Sequence, residues 1–318
     1  MFVRIAFLLI TTCGFVAAQQ PSTPTRRVVF TIDDLPTVSV LGNEIGEAQR
    51  VTRDLVAALV RNKIPAIGFV NEQKLRSNGA VDPRRVDLLQ QWIDAGLELG
   101  NHTYSHPDLH YTPVAEFERQ VLEGERVTRP LLRAAGMALR YFRHPFLHTG
   151  RDSETRGRLE AFLQRHGYRV APVTIDNYDY MYAAAFDRAT ANKDNATREK
   201  VVAAYLTYME SVIAYYEQQA QAILGRDIPQ TLLLHANSLN AKTLDDLARI
   251  FIRRGYRFVH LEEALTDPAY GSADNYYGPA GITWLHRWAI TEGKPRTIFD
   301  GEPAVPDWIA RGARTGGQ

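Results

Sequence analysis

Short apolar runs alternate along the chain with longer stretches in which apolar residues return every third or fourth position. The runs, at 28–32, 66–70, 97–99, 139–142, 170–175, 231–234 and 257–259, read as buried strands. The stretches between them predict helices over 44–61, 84–94, 114–135, 153–165 and 243–254. Gly96, Gly136, Gly167 and Gly255 each follow a predicted helix and lead into a strand, the C′ position where a left-handed residue ends a helix. Two such joints nearly repeat, His166-Gly167-Tyr168-Arg169-Val170 and Arg254-Gly255-Tyr256-Arg257-Phe258. Alternating strand and helix with strands apolar on both faces predicts a parallel sheet, open or closed into a barrel.

Polar residues gather just past the carboxyl ends of these runs: Asp33 and Asp34, His102 and His106, Arg143, Asp176 and Asp179, and His235. Five strands contributing to one rim favour a (β/α) barrel over an open sheet, which collects its ligand groups mainly at one switch point. Two regions depart from the alternation. Residues 181–225 exceed the length of a crossover and contain a predicted helix at 201–223, whose tyrosines 205, 208, 215 and 216 read as a packed face rather than a cap over the site. Residues 266–318, rich in Pro, Gly and aromatics, predict an extension packed on the 27–265 domain; Trp284, His286 and Trp288 line a sugar cleft or anchor this tail.

Composition narrows the class. The 318 residues carry a formal charge of +1, which leaves no footprint for nucleic acid or an anionic membrane. Arg4, the apolar stretch 5–16 and the small residues Val16-Ala17-Ala18 predict an export signal over 1–18, with a polar linker at 19–26; an uncleaved N-terminal anchor is the alternative. The expected location is periplasmic or extracellular, with no transmembrane segment in the mature chain. The sole cysteine, Cys13, falls inside that signal, so disulfides and thiolate chemistry are excluded from the mature protein.

Asn101-His102-Thr103-Tyr104-Ser105-His106-Pro107 holds two histidines four apart, and Asp33-Asp34 closes the first strand. Two imidazoles and a carboxylate are a common ligand set for a hydrolytic zinc, which keeps one position open for water. Taken singly, each element has a commoner explanation: surface histidines, or an acidic turn.

Together the motifs resemble those of the polysaccharide deacetylases of carbohydrate esterase family 4, the NodB-homology group. Thr31-Ile32-Asp33-Asp34-Leu35-Pro36 is similar to its T-F-D-D-G-P, His102 to His106 to H-[ST]-x-x-H, and Arg143-His144-Pro145-Phe146 to R-x-P-[YF]. Asp176 to Tyr180 is similar to D-x-x-D-W, and Leu232-Leu233-Leu234-His235 to L-x-L-H. The resemblance covers roughly residues 27–265. It implies a distorted (β/α) barrel of the NodB type, with parallel strands and outer helices, holding one divalent ion, Zn2+ or alternatively Co2+ or Ni2+. Asp34, His102 and His106 are then the ligands and Asp33 the general base that activates water. His235 is the general acid, oriented by Asp179 or else Asp176, and Arg143 pairs with Asp33. Phe146 N–H, following Pro145, is the candidate oxyanion donor, while Tyr180 and Leu233 join Pro145 and Phe146 against the substrate. The implied partner is an acetylated saccharide or another acyl-amide. Leu35 and Tyr180 stand where the family has glycine and tryptophan, which leaves chitin, peptidoglycan, xylan or a small amide open. Two other classes stay open with it: hydrolysis of a non-sugar linear or cyclic amide, and an inactive carbohydrate-binding relative.

Overall fold

The computed structural model describes residues 26–42 and 44–314; the expected export signal and nearly all of the linker after it lie outside the described residues. The strands in chain order are β1 (Arg26–Leu35), β2 (Ile67–Val70), a small antiparallel pair β3 (Arg76–Ser77) and β4 (Ala80–Val81), then β5 (Glu98–Asn101), β6 (Tyr141–Phe142), β7 (Arg169–Val170), β8 (Gln230–His235) and β9 (Tyr256–Phe258). All except the small pair form one parallel sheet in the order β7-β6-β5-β2-β1-β8, with β9 also paired to β1. Just past β7, Ile175 bridges to Leu232 of β8, and the Leu233 N–H donates to the Ile175 carbonyl. The ends of the sheet therefore meet, and it curls into the distorted barrel expected from the strand pattern.

β1 runs through the middle because it is apolar on both faces. Val28, Phe30 and Ile32 pack outward on the helix layer, with Leu55 and Phe251 among their cluster. Val29 belongs to a second cluster with Ile67, Phe69 and Ala171. A strand buried on two sides needs such a continuous apolar run. Gly96, Gly136, Gly167 and Gly255 all have positive φ, as the C′ position requires.

The strand expected over 170–175 is only Arg169–Val170, the helix expected over 243–254 begins earlier, at Ser238, and three further helical regions differ from the sequence expectation. The helix expected over 114–135 is two helices, Val114–Glu123 and Thr128–Ala134. A Cβ on Gly124 would lie 2.5 Å from the Thr103 carbonyl carbon, so the break lets a backbone approach that a longer side chain forbids. The buried Glu72 carboxylate then accepts from the N–H groups of Val127 and Thr128 at the start of the second helix. The helix expected over 201–223 runs Asn195–Leu224, because Asp194 caps a polar first turn that apolar spacing does not mark. A further helix, Asp179–Ala191, precedes it. Among the described residues no helix is long and apolar enough to cross a membrane.

Residues beyond Asp267 contribute the helices Trp284–Thr291 and Asp307–Arg314. Trp284 and Trp288 are buried in the main hydrophobic cluster, so they anchor this segment, and both also border a surface cavity of about 420 Å³.

Candidate active site

A bulge at the end of β1 creates the site. Consecutive strand residues point to opposite faces, so Asp33 and Asp34 in a regular strand would diverge. Here the β1–β2 register shifts between Ile32 and Leu35, and Asp34 takes φ 71°. Both carboxylates thereby line the same pocket. The glycine conformation that Leu35 cannot supply is carried by Asp34, and Leu35 stays buried at the strand end.

His102 follows β5, and the segment from His102 to His106 is a loop and not a helical turn. Thr103 at φ 69° and His106 at φ 60° fold it so that the two rings sit 4.8 Å apart, edge to face. The Asn71 amide donates to the His102 carbonyl, Asn101 Oδ1 accepts from Thr103 N–H, and Gln120 Oε1 accepts from Ser105. Of eight non-glycine residues with positive φ among the described residues, five are Asp34, Thr103, His106, Phe146 and Leu147. Strain of this kind persists only where surrounding contacts over-determine it, and it concentrates at functional loops.

Asp34, His102 and His106 offer ligand atoms that all lie within 4.8 Å of one another. His102 Nδ1 is 2.8 Å from the Arg143 carbonyl, which fixes the tautomer with its free nitrogen Nε2 towards the acids. Burial lowers the pKa of both histidines and keeps them neutral. Burial alone would raise Asp34, but Lys74, whose Nζ is 3.3 Å from Oδ1, and the cationic His235 hold its carboxyl well below the usual range. Neutral imidazoles beside a fully ionised carboxylate are the protonation states a divalent cation requires, so the donor set fits one.

Asp33 is buried and its pKa is pushed up to about 6 by desolvation, against the pull of Arg143 and His235. Arg143, fully buried, sits with Nε 3.9 Å from Asp33, donates from Nη2 to Thr31 Oγ1 and lies 4.9 Å over the Phe69 ring. The pairing with Asp33 is thus electrostatic, without a hydrogen bond. Asp33 Oδ1 is buried with no partner among the described residues.

His235, at the end of β8, has Nδ1 2.7 Å from Asp179 Oδ1. Asp179 is buried and also accepts from the His235 N–H, Asn237 and Asn240. Burial lowers the His235 pKa, but Asp179 outweighs it, with smaller help from Asp34 and Asp33, and raises it to about 10. Asp176 lines the pocket but makes no such contact. Asp179 therefore holds the imidazole, which the sequence spacing left open between the two acids.

The pocket encloses about 540 Å³, and Phe146, Tyr180 and Leu233 line it beside the acids and histidines. Pro145 is buried beneath, opening a three-residue helical turn whose Phe146 N–H is one of the first-turn donors the turn leaves unpaired. Phe146 packs edge-on to His106 at 4.5 Å. His144 is buried and lines the pocket, with burial pushing its pKa down to about 3. His110 and His148 stack in parallel at 4.0 Å, and Asp108 Oδ1 sits 2.8 Å from His148 Nδ1 while accepting the His110 N–H. That trio also clusters ligand atoms, yet parallel rings aim their in-plane lone pairs side by side, and Asp108 is already bonded.

Residues 20–171 match the family model described as polysaccharide deacetylase. These residues belong to the polysaccharide deacetylase family. The chain is 26% identical to the chitin deacetylase of Colletotrichum lindemuthianum over 226 residues, covering 71% of this chain and 77% of that protein. It is 33% identical to the chitooligosaccharide deacetylase of Sinorhizobium fredii over 95 residues, spanning 30% of this chain and 40% of that protein. The solved structure of the Colletotrichum lindemuthianum chitin deacetylase superposes with a TM-score of 0.50 at 22% identity, over 77% of this chain and 90% of that one, a likeness of fold.

The polysaccharide deacetylase segment holds the acids of β1, both clustered histidines, Arg143 and Phe146; Asp179 and His235 come from beyond it. Three residues around the site were not legible in the sequence. Lys74 sits on a short helical turn outside every motif and neutralises Asp34. Gly281 passes so close that a Cβ there would lie 1.9 Å from the Phe146 carbonyl oxygen. Arg287, buried and paired to Asp274, donates to the Leu147 carbonyl and to Thr149. The last two come from the segment beyond Asp267 and clamp the strained Phe146–Leu147 turn from behind.

Proposed function

We propose that this protein is a metal-dependent deacetylase that removes acetyl groups from N-acetylated, or alternatively O-acetylated, carbohydrate. The observation that carries this is the convergence of Asp33, the Asp34–His102–His106 cluster and the Asp179–His235 pair on one pocket. A divalent cation, zinc first among the candidates, would supply Lewis-acid polarisation of the acyl carbonyl and increased acidity of water. Asp34, His102 and His106 are the residues that would hold it.

The protein's own groups supply the proton traffic. Asp33, ionised above its raised pKa and balanced in that state by Arg143, accepts a proton from the attacking water through Oδ1. Phe146 N–H, fixed in its turn by Leu147 and Arg287, faces the developing oxyanion. His235, held cationic by Asp179, gives its proton to the departing amine nitrogen. Leu233, Tyr180 and the Phe146 ring provide apolar walls for the acyl methyl and the sugar face. Residues 1–18 support export, so that the substrate is met in the periplasm or outside the cell.

Acetate release from acetylated chito-oligosaccharides, with and without a chelator, tests the assignment. Release that a chelator stops and added zinc restores is expected. Release from no acylated sugar under any metal would refute it.

Asp179→Asn carries a separate expectation. With Asp179 present, His235 is protonated through neutral pH and loses its proton only near pH 10, so activity falls on the alkaline side there. Without the carboxylate, the largest upward pull on the imidazole is lost while burial still lowers it, so it deprotonates at a lower pH. The alkaline limb should move down by several pH units and kcat at pH 8 should drop about 10²–10⁴-fold. An unchanged pH–rate profile would remove Asp179 from this role.

A further inference from the structure

A second cavity adjoins the catalytic pocket, about 150 Å³ in volume. Asp176, Asn177, Tyr178 and Gly281 line both spaces, so the two are neighbours across a shared wall. The rest of its lining comes from the two regions that depart from the strand–helix alternation. Tyr208, Val212 and Tyr216 belong to the helix Asn195–Leu224, while Thr283, His286, Glu302 and Pro303 follow Asp267. None of its lining residues is lysine or arginine.

The chemistry of that lining is specific. Tyr216 donates to Glu302 Oε1, which holds one carboxylate at the cavity. Asp176 faces it with no side-chain donor; its Oδ1 accepts only the following Asn177 N–H. His286 brings no positive charge, since burial pushes its pKa down to about 4. His235 and Arg143 both act on Asp176 from a distance, but neither lines this cavity. Asp176 and Glu302 accordingly tend to keep their protons, both chiefly through burial, and Asp176, up to about 7, also through Asp179 and Glu302. An anion would meet two carboxyl groups here, and a second acetyl group would bring no cation to pair with either. A protonated amine would restore both ionised forms and find the tyrosine rings beside it.

We propose that this cavity is a subsite for a protonated amino group carried by the substrate next to the acyl group being removed, in other words for a saccharide that already bears a free amine. It rests on the deacetylase reading, and it narrows that reading to partly deacetylated amino sugars. Amide hydrolysis of an N-acetyl sugar yields such an amine, so the product of one cleavage is the ligand that positions the next.

Two disaccharides test it on the metal-loaded full chain: one N-acetylated on both rings, the other with the second ring a free amine. The amine form should show a KM roughly tenfold lower, the worth of one good charge-assisted contact, with kcat unchanged. Glu302→Gln should erase that preference, and Glu302→Lys, whose own ammonium competes, should raise KM for the amine form alone. Equal KM values in the wild type, or a rise for both substrates in Glu302→Gln, would overturn the subsite. If neither disaccharide yields acetate, calorimetric titration separates the two ideas. Tighter binding of the amine form, lost in Glu302→Lys, keeps the subsite and removes the deacetylase reading; identical binding of both removes the subsite.

Discussion

Asp34→Ala is expected to lose the divalent cation, and acetate release with it. The substitution deletes the only anionic ligand of the cluster and leaves two neutral histidines beside the Lys74 ammonium, whose charge then opposes cation entry. Losing a group that merely orients a ligand typically lowers metal affinity about 10–100-fold, and losing the charged ligand itself should exceed this. The fold should tolerate the change, because Lys74 is partly exposed and its head can turn to water. Metal content after dialysis, affinity by calorimetry and the melting temperature check it together. Full metal occupancy in Asp34→Ala would exclude Asp34 as a ligand.

Asp33→Asn is expected to do the converse, keeping the cation while kcat falls about 10²–10⁴-fold. Asp33 Oδ2 stands 3.8 Å from His102 Nε2 and 3.9 Å from Arg143 Nε, outside the ligand cluster but against its edge. The amide keeps the volume and cannot accept a proton. The pH profile carries the sign. A carboxyl with its pKa raised to about 6 is protonated and inactive below that value and becomes a base above it. Wild-type activity should therefore rise with pH through about 6 or lower, since a bound cation favours the ionised form. The residual rate of Asp33→Asn should lack that rise. A full rate in Asp33→Asn, with the acid limb intact, would assign the base elsewhere.

Much of the site was legible along the chain because its parts are short. Asp33-Asp34, His102 with His106, Arg143-His144-Pro145-Phe146 and Leu232 to His235 each span a few residues after a strand, and parallel strands deliver their carboxyl ends to one rim. The strand order could not be read, since pairing joins β1 to β8 across some two hundred residues. Nor could Gly124, whose role is to let Thr103 pass, or the split helix that follows from it. Trp284 and Trp288 read as a cleft or an anchor, and the packing makes them an anchor that also borders a cavity.

The sequence by itself determined the candidate reacting groups: two adjacent acids, two histidines at a fixed spacing, and a histidine closing a strand. These are covalent neighbours or follow strand ends, so local pattern suffices. Only the tertiary structure decided their states and company. The bulge at Asp34 turned both acids inward, Lys74 arrived to favour the ionised form of one while burial raised the proton affinity of the other, and Asp179 rather than Asp176 reached His235. It also brought the helix Asn195–Leu224 and the segment beyond Asp267 together around a second cavity. Charge state and enclosure depend on desolvation and on contacts between distant segments, and neither is written in the spacing of residues.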